Sequence, residues 1–223
     1  MIMSRKARGI SHTGLYHIIF RGINRQNIFE EEKDYQEFTK VLKIVKEQLE
    51  FKIYTYCLMS NHGHIFIKEK SIGDISTIMQ KTLTKYAGWY NKKYSRSGCL
   101  FGNRYKSQTI EVDNYILSLV RYIHQNPKKT GIVKELEKYK WSSYNYYLEK
   151  CEEDFVDTAD ILEMLSENKN VARNTFLEFH REAEKEVFEI GDSCKMSSEQ
   201  IRRRIIKRLE GKELHVIGSM AKC

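Results

Sequence analysis

The chain has 223 residues, 41% of them hydrophobic, and a formal net charge of +8, which predicts one sizeable core and a surface suited to an anionic partner. No run of 18 apolar residues exists and the first residues lack the apolar region of a secretory signal, so we expect a cytoplasmic protein with no membrane partner. Five scattered cysteines without a C-x-x-C spacing exclude a disulfide framework and a cysteine-based zinc module.

The apolar patterns of the first half predict alternating strands and helices. The predicted elements are strand 14–20, helix 31–50, strands 52–59 and 62–68, helix 74–94 and strand 105–112. This β-α-β-β-α-β order predicts a ferredoxin-like α+β fold, in which an antiparallel sheet carries both helices on one face.

Two histidines lie one residue apart in the third predicted strand. Alternate strand residues project to the same face, so His62 and His64 point together and Gly63 points to the helix-packed face, where it leaves a gap or lets a helix approach. Two neutral imidazoles suit several divalent metals. Taken alone, the pair is more often two polar surface residues, and His17 on the first strand could equally have no role.

Residues 75–110 contain no acidic residue and combine cations with aromatic side chains. Cations neutralise phosphates and aromatic rings stack on unpaired bases, so this pattern favours a nucleic-acid surface over a merely solvated face. With two arginines of the polar loop after the first strand, the candidate DNA-binding residues are Arg21, Arg25, Lys81, Lys85, Lys92, Lys93, Arg104, Tyr105 and Lys106.

A further helix is predicted over 114–126, with Asp113 as its N-cap and Pro127 at its end. Tyr122 and Asn126, four residues apart, share one flank of its apolar stripe. A phenol on that flank could act as a nucleophile and an amide oxygen could complete a metal site. A tyrosine beside an apolar stripe is also a common packing residue, and the spacing leaves both interpretations open.

Four short segments of the sequence make the interpretation of these residues specific. They run from Arg21 to Phe29, Met59 to His64, Gly102 to Lys106 and Arg121 to Pro127. These segments occur in the order and spacing of the REP-associated tyrosine transposases of the HUH single-strand transposase superfamily, which the chain resembles from about Gly9 to Leu148.

The resemblance implies roles for single residues. His62, His64 and Asn126 would hold a divalent ion, Mg²⁺ or Mn²⁺, and Tyr122 would attack a phosphodiester of single-stranded or hairpin DNA to leave a 5′-phosphotyrosine and a free 3′-OH. Two positions depart from the family pattern. Gly63 stands where a bulky hydrophobic residue is usual and Ser60 where proline is common, which predicts a looser strand.

The charge distribution suggests three regions. Residues 1–148 form the predicted catalytic domain, and 149–190, with 5 basic and 13 acidic residues, form an acidic helical extension with helices over 157–165 and 171–186. Residues 195–223 form a basic tail with a helix over 198–209, either the opening of a helix-turn-helix or a solvated helix.

Two other functions remain compatible with the sequence, and so do two oligomeric states. A non-catalytic nucleic-acid-binding protein could retain the fold, and a metal phosphodiesterase could use water in place of the tyrosine. The protein could be a monomer or a homodimer.

Overall fold

Four strands form one antiparallel sheet in a computed structural model that describes residues 9–111, 115–151 and 154–182. They are β1 (Leu15–Arg21), β2 (Lys52–Met59), β3 (His62–Lys68) and β4 (Lys106–Thr109), in the order β2-β3-β1-β4. Every neighbouring pair is antiparallel. The predicted ferredoxin-like α+β fold is confirmed.

Five α-helices accompany the sheet in the described residues. They are α1 (Glu32–Leu49), α2 (Asp74–Lys93), α3 (Ile116–Lys129), α4 (Ala159–Glu163) and α5 (Lys169–Arg181), with 3-10 segments at Ile23–Arg25, Leu136–Lys138 and Ser143–Leu148. The bounds of β2 and β3 match the prediction, whereas β4 is shorter. The predicted N-cap Asp113 and the predicted helix over 198–209 lie outside the described residues.

The prediction that α3 ends at Pro127 is wrong, because the helix continues to Lys129. Proline has no N–H to donate to the carbonyl four residues earlier. That carbonyl belongs to Ile123, and Asn126 Nδ2 compensates in part for the missing donor, because it lies 3.5 Å from the Ile123 carbonyl oxygen and 3.0 Å from that of Tyr122. The helix stops only at Thr130, whose hydroxyl donates to the carbonyl of Asn126.

The helices lie on both faces of the sheet. On one face, Phe20 of β1 stacks on Phe38 of α1 with ring centroids 5.0 Å apart, and Phe38 contacts Tyr86 of α2. Alternation in β1 and β3 directs the histidines to the opposite face, where α3 packs mainly along β2. The sheet therefore separates the α1–α2 layer from the α3 layer.

Gly63 lies on the α1–α2 side, as predicted, and the gap expected there is filled by an aromatic ring. Phe20 is its direct partner in the β1–β3 pairing, and a Cβ atom at position 63 would lie 2.3 Å from Phe20 Cζ. Glycine is therefore required for the Phe20 ring to lie across β3. The large side chain that fills the space beside Gly63 is therefore that of Phe20 on the neighbouring strand β1.

The outer edge of β2 is covered by residues much later in the chain. The Leu58 N–H donates to the carbonyl of Trp141 at 2.9 Å, and the Ile53 N–H donates to the Asp157 carboxylate at 2.7 Å. Asp157 also accepts from Lys46 at 2.7 Å. The contacts of Asp157 cross the predicted boundary at residue 148, and the division of the chain into three regions stays a prediction.

The N-terminus of α1 is anchored to the end of α2 through Asp34, whose side chain is fully buried. Its carboxylate accepts from the N–H groups of Glu30 and Glu31, from Lys93 Nζ and from the Tyr94 hydroxyl. Burial alone would raise the pKa of Asp34, but these donors together hold the pKa below its usual value.

We expect Asp34→Asn to lower the free energy of unfolding by about 2 kcal/mol at neutral pH, because an amide cannot accept all four hydrogen bonds. A depressed folded-state pKa contributes stability that is present above the unfolded value and is lost as the pH falls through the folded value. The difference from the parent protein should therefore shrink below about pH 4. Urea unfolding at several pH values measures this.

Glu137→Gln is the matched control for Asp34→Asn, since Glu137 pairs with Lys150 in an exposed ion pair. Loss of this ion pair should change the free energy of unfolding by less than about 1 kcal/mol. A cost of Asp34→Asn that stays constant from pH 7 to pH 3 would contradict the assignment of the ionised carboxylate as the anchor.

Candidate active site

Strands β1 and β3 place four polar residues on the sheet face opposite α1 and α2. Pairing sets Arg21 opposite His62 and Ile19 opposite His64, so His17, Arg21, His62 and His64 project to the same side. His64 is 4% exposed and His17 is fully buried. The structure therefore brings the two predicted metal ligands together and adds a third imidazole beside them.

The Nδ1 atom of each predicted ligand has a polar partner. His62 Nδ1 lies 2.6 Å from Asn61 Oδ1, and His64 Nδ1 lies 3.1 Å from His17 Nε2. Asn61 is itself fixed by the loop after β1, because its carbonyl accepts from the Gly22 N–H at 3.0 Å. This loop also covers the turn between β2 and β3 through hydrogen bonds from Ile28 and Phe29 to the Ser60 carbonyl.

Burial keeps the imidazoles of this face neutral. It lowers the pKa of His62 to about 4, with a further contribution from the positive charge of Arg21, and it lowers the pKa of His17 to about 3. Burial, with the nearby His17, lowers the pKa of His64 well below its usual value. Neutral imidazole is the form that binds a metal ion, so the site is in this form without a proton having to leave.

Helix α3 places Tyr122 directly against the histidines of its own chain. The Tyr122 ring meets the His64 ring edge to face at 5.7 Å and the His17 ring at 6.2 Å. Lys129 Nζ, two helical turns later, lies 4.6 Å from the centre of the Tyr122 ring. Tyr122 is 5% exposed, so its side chain belongs to this cluster and not to the open surface.

A buried polar network fixes α3 in this position. His124 Nε2 lies 2.7 Å from both Thr55 Oγ1 of β2 and Ser143 Oγ, and His124 Nδ1 lies 3.0 Å from His180 Nε2 of α5. None of His124, Ser143 and His180 is among the residues predicted from the sequence. The signal available for His124 is its place in the same segment as Tyr122 and Asn126, whose predicted roles are chemical and not structural.

Asn126 is buried near the C-terminal end of α3. Its amide nitrogen faces the helix backbone, so Oδ1 of the same carboxamide points away from that backbone. In the described residues, no group of three or more His, Cys, Asp or Glu side chains is arranged to hold a metal ion. A metal bound by His62 and His64 therefore needs an oxygen ligand of another kind, and a carboxamide oxygen such as that of Asn126 fits this requirement.

The predicted DNA-binding residues divide between the two faces of the sheet. Lys106 is exposed and pairs with Ile19, which places it on the histidine face with Arg21, while Arg25 and Arg104 are exposed on nearby loops. The other predicted residues belong to the α2 side. Lys81, Lys85 and Lys92 are exposed there, Lys93 pairs with Glu31 and Asp34, and the buried Tyr105 donates to the Ile75 carbonyl.

A family model described as "Transposase IS200 like" matches residues 11–126, which is more than half of the chain. The chain belongs to the IS200-like transposase family. The family recognition and the transposase class of function predicted from the sequence are confirmed.

A solved structure supports the fold. A REP-associated tyrosine transposase bound to a REP hairpin is similar at a TM-score of 0.57 and 20% identity, over 70% of this chain and 94% of that one. A provisionally named transposase from Deinococcus radiodurans R1 has a TM-score of 0.39 and 16% identity, over 55% of this chain and 97% of that one. No curated protein matches the sequence. Among the described helices, none is both long and apolar enough to cross a bilayer.

Proposed function

We propose that this protein cleaves and rejoins single-stranded, hairpin-bearing DNA by transesterification through Tyr122. The observation that carries the proposal is the packing of the Tyr122 ring against His64 within one chain, on the sheet face that also carries Arg21. The similar REP-associated transposase is bound to a hairpin, which supports the choice of substrate.

In the first step, the Tyr122 phenol oxygen attacks a phosphodiester phosphorus. The new bond joins phosphorus to the tyrosine oxygen and the bond from phosphorus to the 3′-oxygen breaks. The phenol proton is lost and the departing 3′-oxygen gains a proton, so the products are a 5′-phosphotyrosine and a free 3′-OH. One phosphoester replaces another, so a second 3′-OH can reverse the exchange and rejoin strands without ATP.

His62, His64 and Asn126 would hold the Mg²⁺ or Mn²⁺ ion, which polarises the scissile phosphate when bound. The neutral imidazoles suit this task because a cationic imidazole has no lone pair to offer. Asn61 Oδ1 engages His62 Nδ1 and leaves His62 Nε2 as the metal-facing donor.

Arg21 and Lys106 would neutralise phosphates near the reacting bond, since they lie on the histidine face, and the exposed Arg25 and Arg104 would extend this surface along the segments after β1 and before β4. Lys81, Lys85 and Lys92 lie on the other side of the sheet and would meet a more distant part of the hairpin. Lys93 and Tyr105 are held by Asp34 and the Ile75 carbonyl, so we expect them to shape the α2 surface that such DNA would contact.

The test is to incubate the protein with a pool of single-stranded hairpin oligonucleotides in Mg²⁺ or Mn²⁺ and to identify covalently trapped DNA. We expect a denaturation-resistant adduct that maps to Tyr122 by peptide mass spectrometry and that does not form with EDTA. Cleavage without an adduct would instead show a phosphodiesterase that uses water. Hairpin binding without cleavage in any divalent ion would show a non-catalytic binding protein.

A further inference from the structure

His17 is an unexplained polar residue inside the site. It is fully buried on β1, its ring is nearly parallel to the His64 ring with an interplanar angle of 17° and centroids 5.4 Å apart, and its Nε2 lies 3.1 Å from His64 Nδ1. Its other nitrogen, Nδ1, is buried without a hydrogen-bond partner among the residues that the structure describes. A buried polar atom left in this state destabilises the folded protein, so a residue of this kind requires a physical explanation.

Packing or direct metal ligation could explain His17, but neither fits the geometry. An apolar residue would fill the same space without burying a nitrogen that lacks a hydrogen-bond partner. The three histidines of this face do not form a group that could hold one metal ion together. The polar contact that remains to explain His17 is its hydrogen bond to His64.

That hydrogen bond can have two directions, and they have opposite consequences for a metal. If His64 Nδ1–H donates to His17 Nε2, then His64 Nε2 carries a lone pair and can bind an ion. If His17 Nε2–H donates to His64 Nδ1, then His64 Nε2 carries the proton and cannot bind. The choice of tautomer at His64 therefore decides whether the site has one imidazole donor or two.

The neighbouring ligand shows which arrangement the site uses. The partner of His62 Nδ1 is the carboxamide oxygen Asn61 Oδ1, which can only accept, so His62 donates from Nδ1 and presents Nε2. His62 and His64 project from the same strand face. For both to present the same donor atom to one ion, His17 must act as the acceptor that Asn61 provides for His62.

We infer that His17 is a positioning residue that accepts a hydrogen bond from His64 Nδ1–H and so fixes Nε2 of His64 as the metal-facing atom. The inference rests on the proposed function to the extent that His64 is a metal ligand. The proton of His17 then lies on Nδ1, the buried nitrogen that has no hydrogen-bond partner in the described residues. The unfavourable free energy of burying this N–H group is what it costs to order the site before a metal binds.

The first experiment reads the tautomers directly in the metal-free protein. Histidine side-chain ¹⁵N NMR at neutral pH should show a proton on Nδ1 of His64 and of His17. A proton on His64 Nε2 in the parent protein would overturn the inference, whether or not the protein is later found to cleave DNA.

The second experiment compares two substitutions by their affinity for Mn²⁺, measured by electron paramagnetic resonance of the free ion. His17→Leu removes the acceptor and should weaken Mn²⁺ binding about 10- to 100-fold. His17→Gln places an amide oxygen near the position of Nε2 and should stay within about threefold of the parent protein. Unchanged affinity in His17→Leu, together with an unchanged His64 tautomer, would contradict the inference.

Two controls separate this effect from others. His12→Leu removes an exposed histidine just before β1 and should leave Mn²⁺ affinity unchanged. Circular dichroism and urea unfolding establish that both His17 variants are folded. Mn²⁺ binding that depends on His17 without a DNA adduct would refute the proposed function and keep the inference, whereas adduct formation with the wrong His64 tautomer would do the reverse.

Discussion

Tyr122→Phe is expected to abolish the covalent DNA adduct, with a loss of at least about 10⁴-fold in strand cleavage, because it removes the one oxygen that forms the bond to phosphorus. Phenylalanine keeps the ring that packs edge to face on His64 and His17, so the fold and hairpin affinity should not change. Adduct yield on denaturing gels and hairpin affinity by fluorescence anisotropy measure the two properties on the same sample.

The controls for Tyr122→Phe are two tyrosines that precede it in the chain. The Tyr105 hydroxyl donates to the Ile75 carbonyl of α2, and Tyr115 directly precedes the first residue of α3. Tyr105→Phe and Tyr115→Phe should each retain the adduct. An adduct of normal yield in Tyr122→Phe would exclude Tyr122 as the nucleophile, and its loss in one of the control variants would name the residue to consider next.

Gly63→Ile is expected to lower the free energy of unfolding by about 3 kcal/mol, the upper part of the usual range for overpacking. The new Cβ would lie 2.3 Å from Phe20 Cζ, and the Phe20 ring cannot easily move because it stacks on Phe38 and contacts Phe101. Isoleucine restores the kind of residue that the family usually has here, so this result would show that the rest of the sheet has adapted to glycine. Urea unfolding measures it.

A second substitution tests whether Phe20 is the cause. Phe20→Ala alone should cost about 3 to 5 kcal/mol through the cavity that it leaves. When Phe20→Ala and Gly63→Ile are combined, the isoleucine side chain can fill part of that cavity, so the double variant should be more stable than the sum of the single effects predicts. Additive effects would show that the two positions do not share this space.

Gly88→Ala is the matched control, because no atom outside its own helix lies within 4 Å of a Cβ atom at that position. Alanine in the interior of α2 should raise stability by up to about 1 kcal/mol. A clear loss of stability there would mean that glycine substitutions destabilise this protein for reasons other than contact with a neighbouring side chain.

Local sequence patterns were sufficient for most of the sheet. The bounds of β2 and β3 follow from apolar runs that end at the polar turn residues Ser60 and Asn61, and this information is contained in neighbouring residues. The end of α3 was predicted wrongly because the effect of Pro127 depends on where the Asn126 side chain points. A local rule about proline does not include that hydrogen bond.

Contacts between distant residues could not be predicted from spacing. Phe20 and Gly63 become neighbours only through the β1–β3 register, and so do His17 and His64 through the shared sheet face. Lys93 looked like its neighbour Lys92 in the sequence, yet it pairs with Asp34, 59 residues earlier. Whether a cation is free to meet DNA depends on which acids the fold brings to it.

The cover on the outer edge of β2 has a consequence for how the protein is made. At a synthesis rate of about 5 to 20 residues per second, Trp141 leaves the ribosome several seconds or more after Leu58. During that interval the outer backbone groups of β2 on a nascent chain have not yet met their native partners, and such an edge can pair with other chains. The risk that β2 pairs with another chain during synthesis therefore depends on how soon residues 141–157 leave the ribosome after β2.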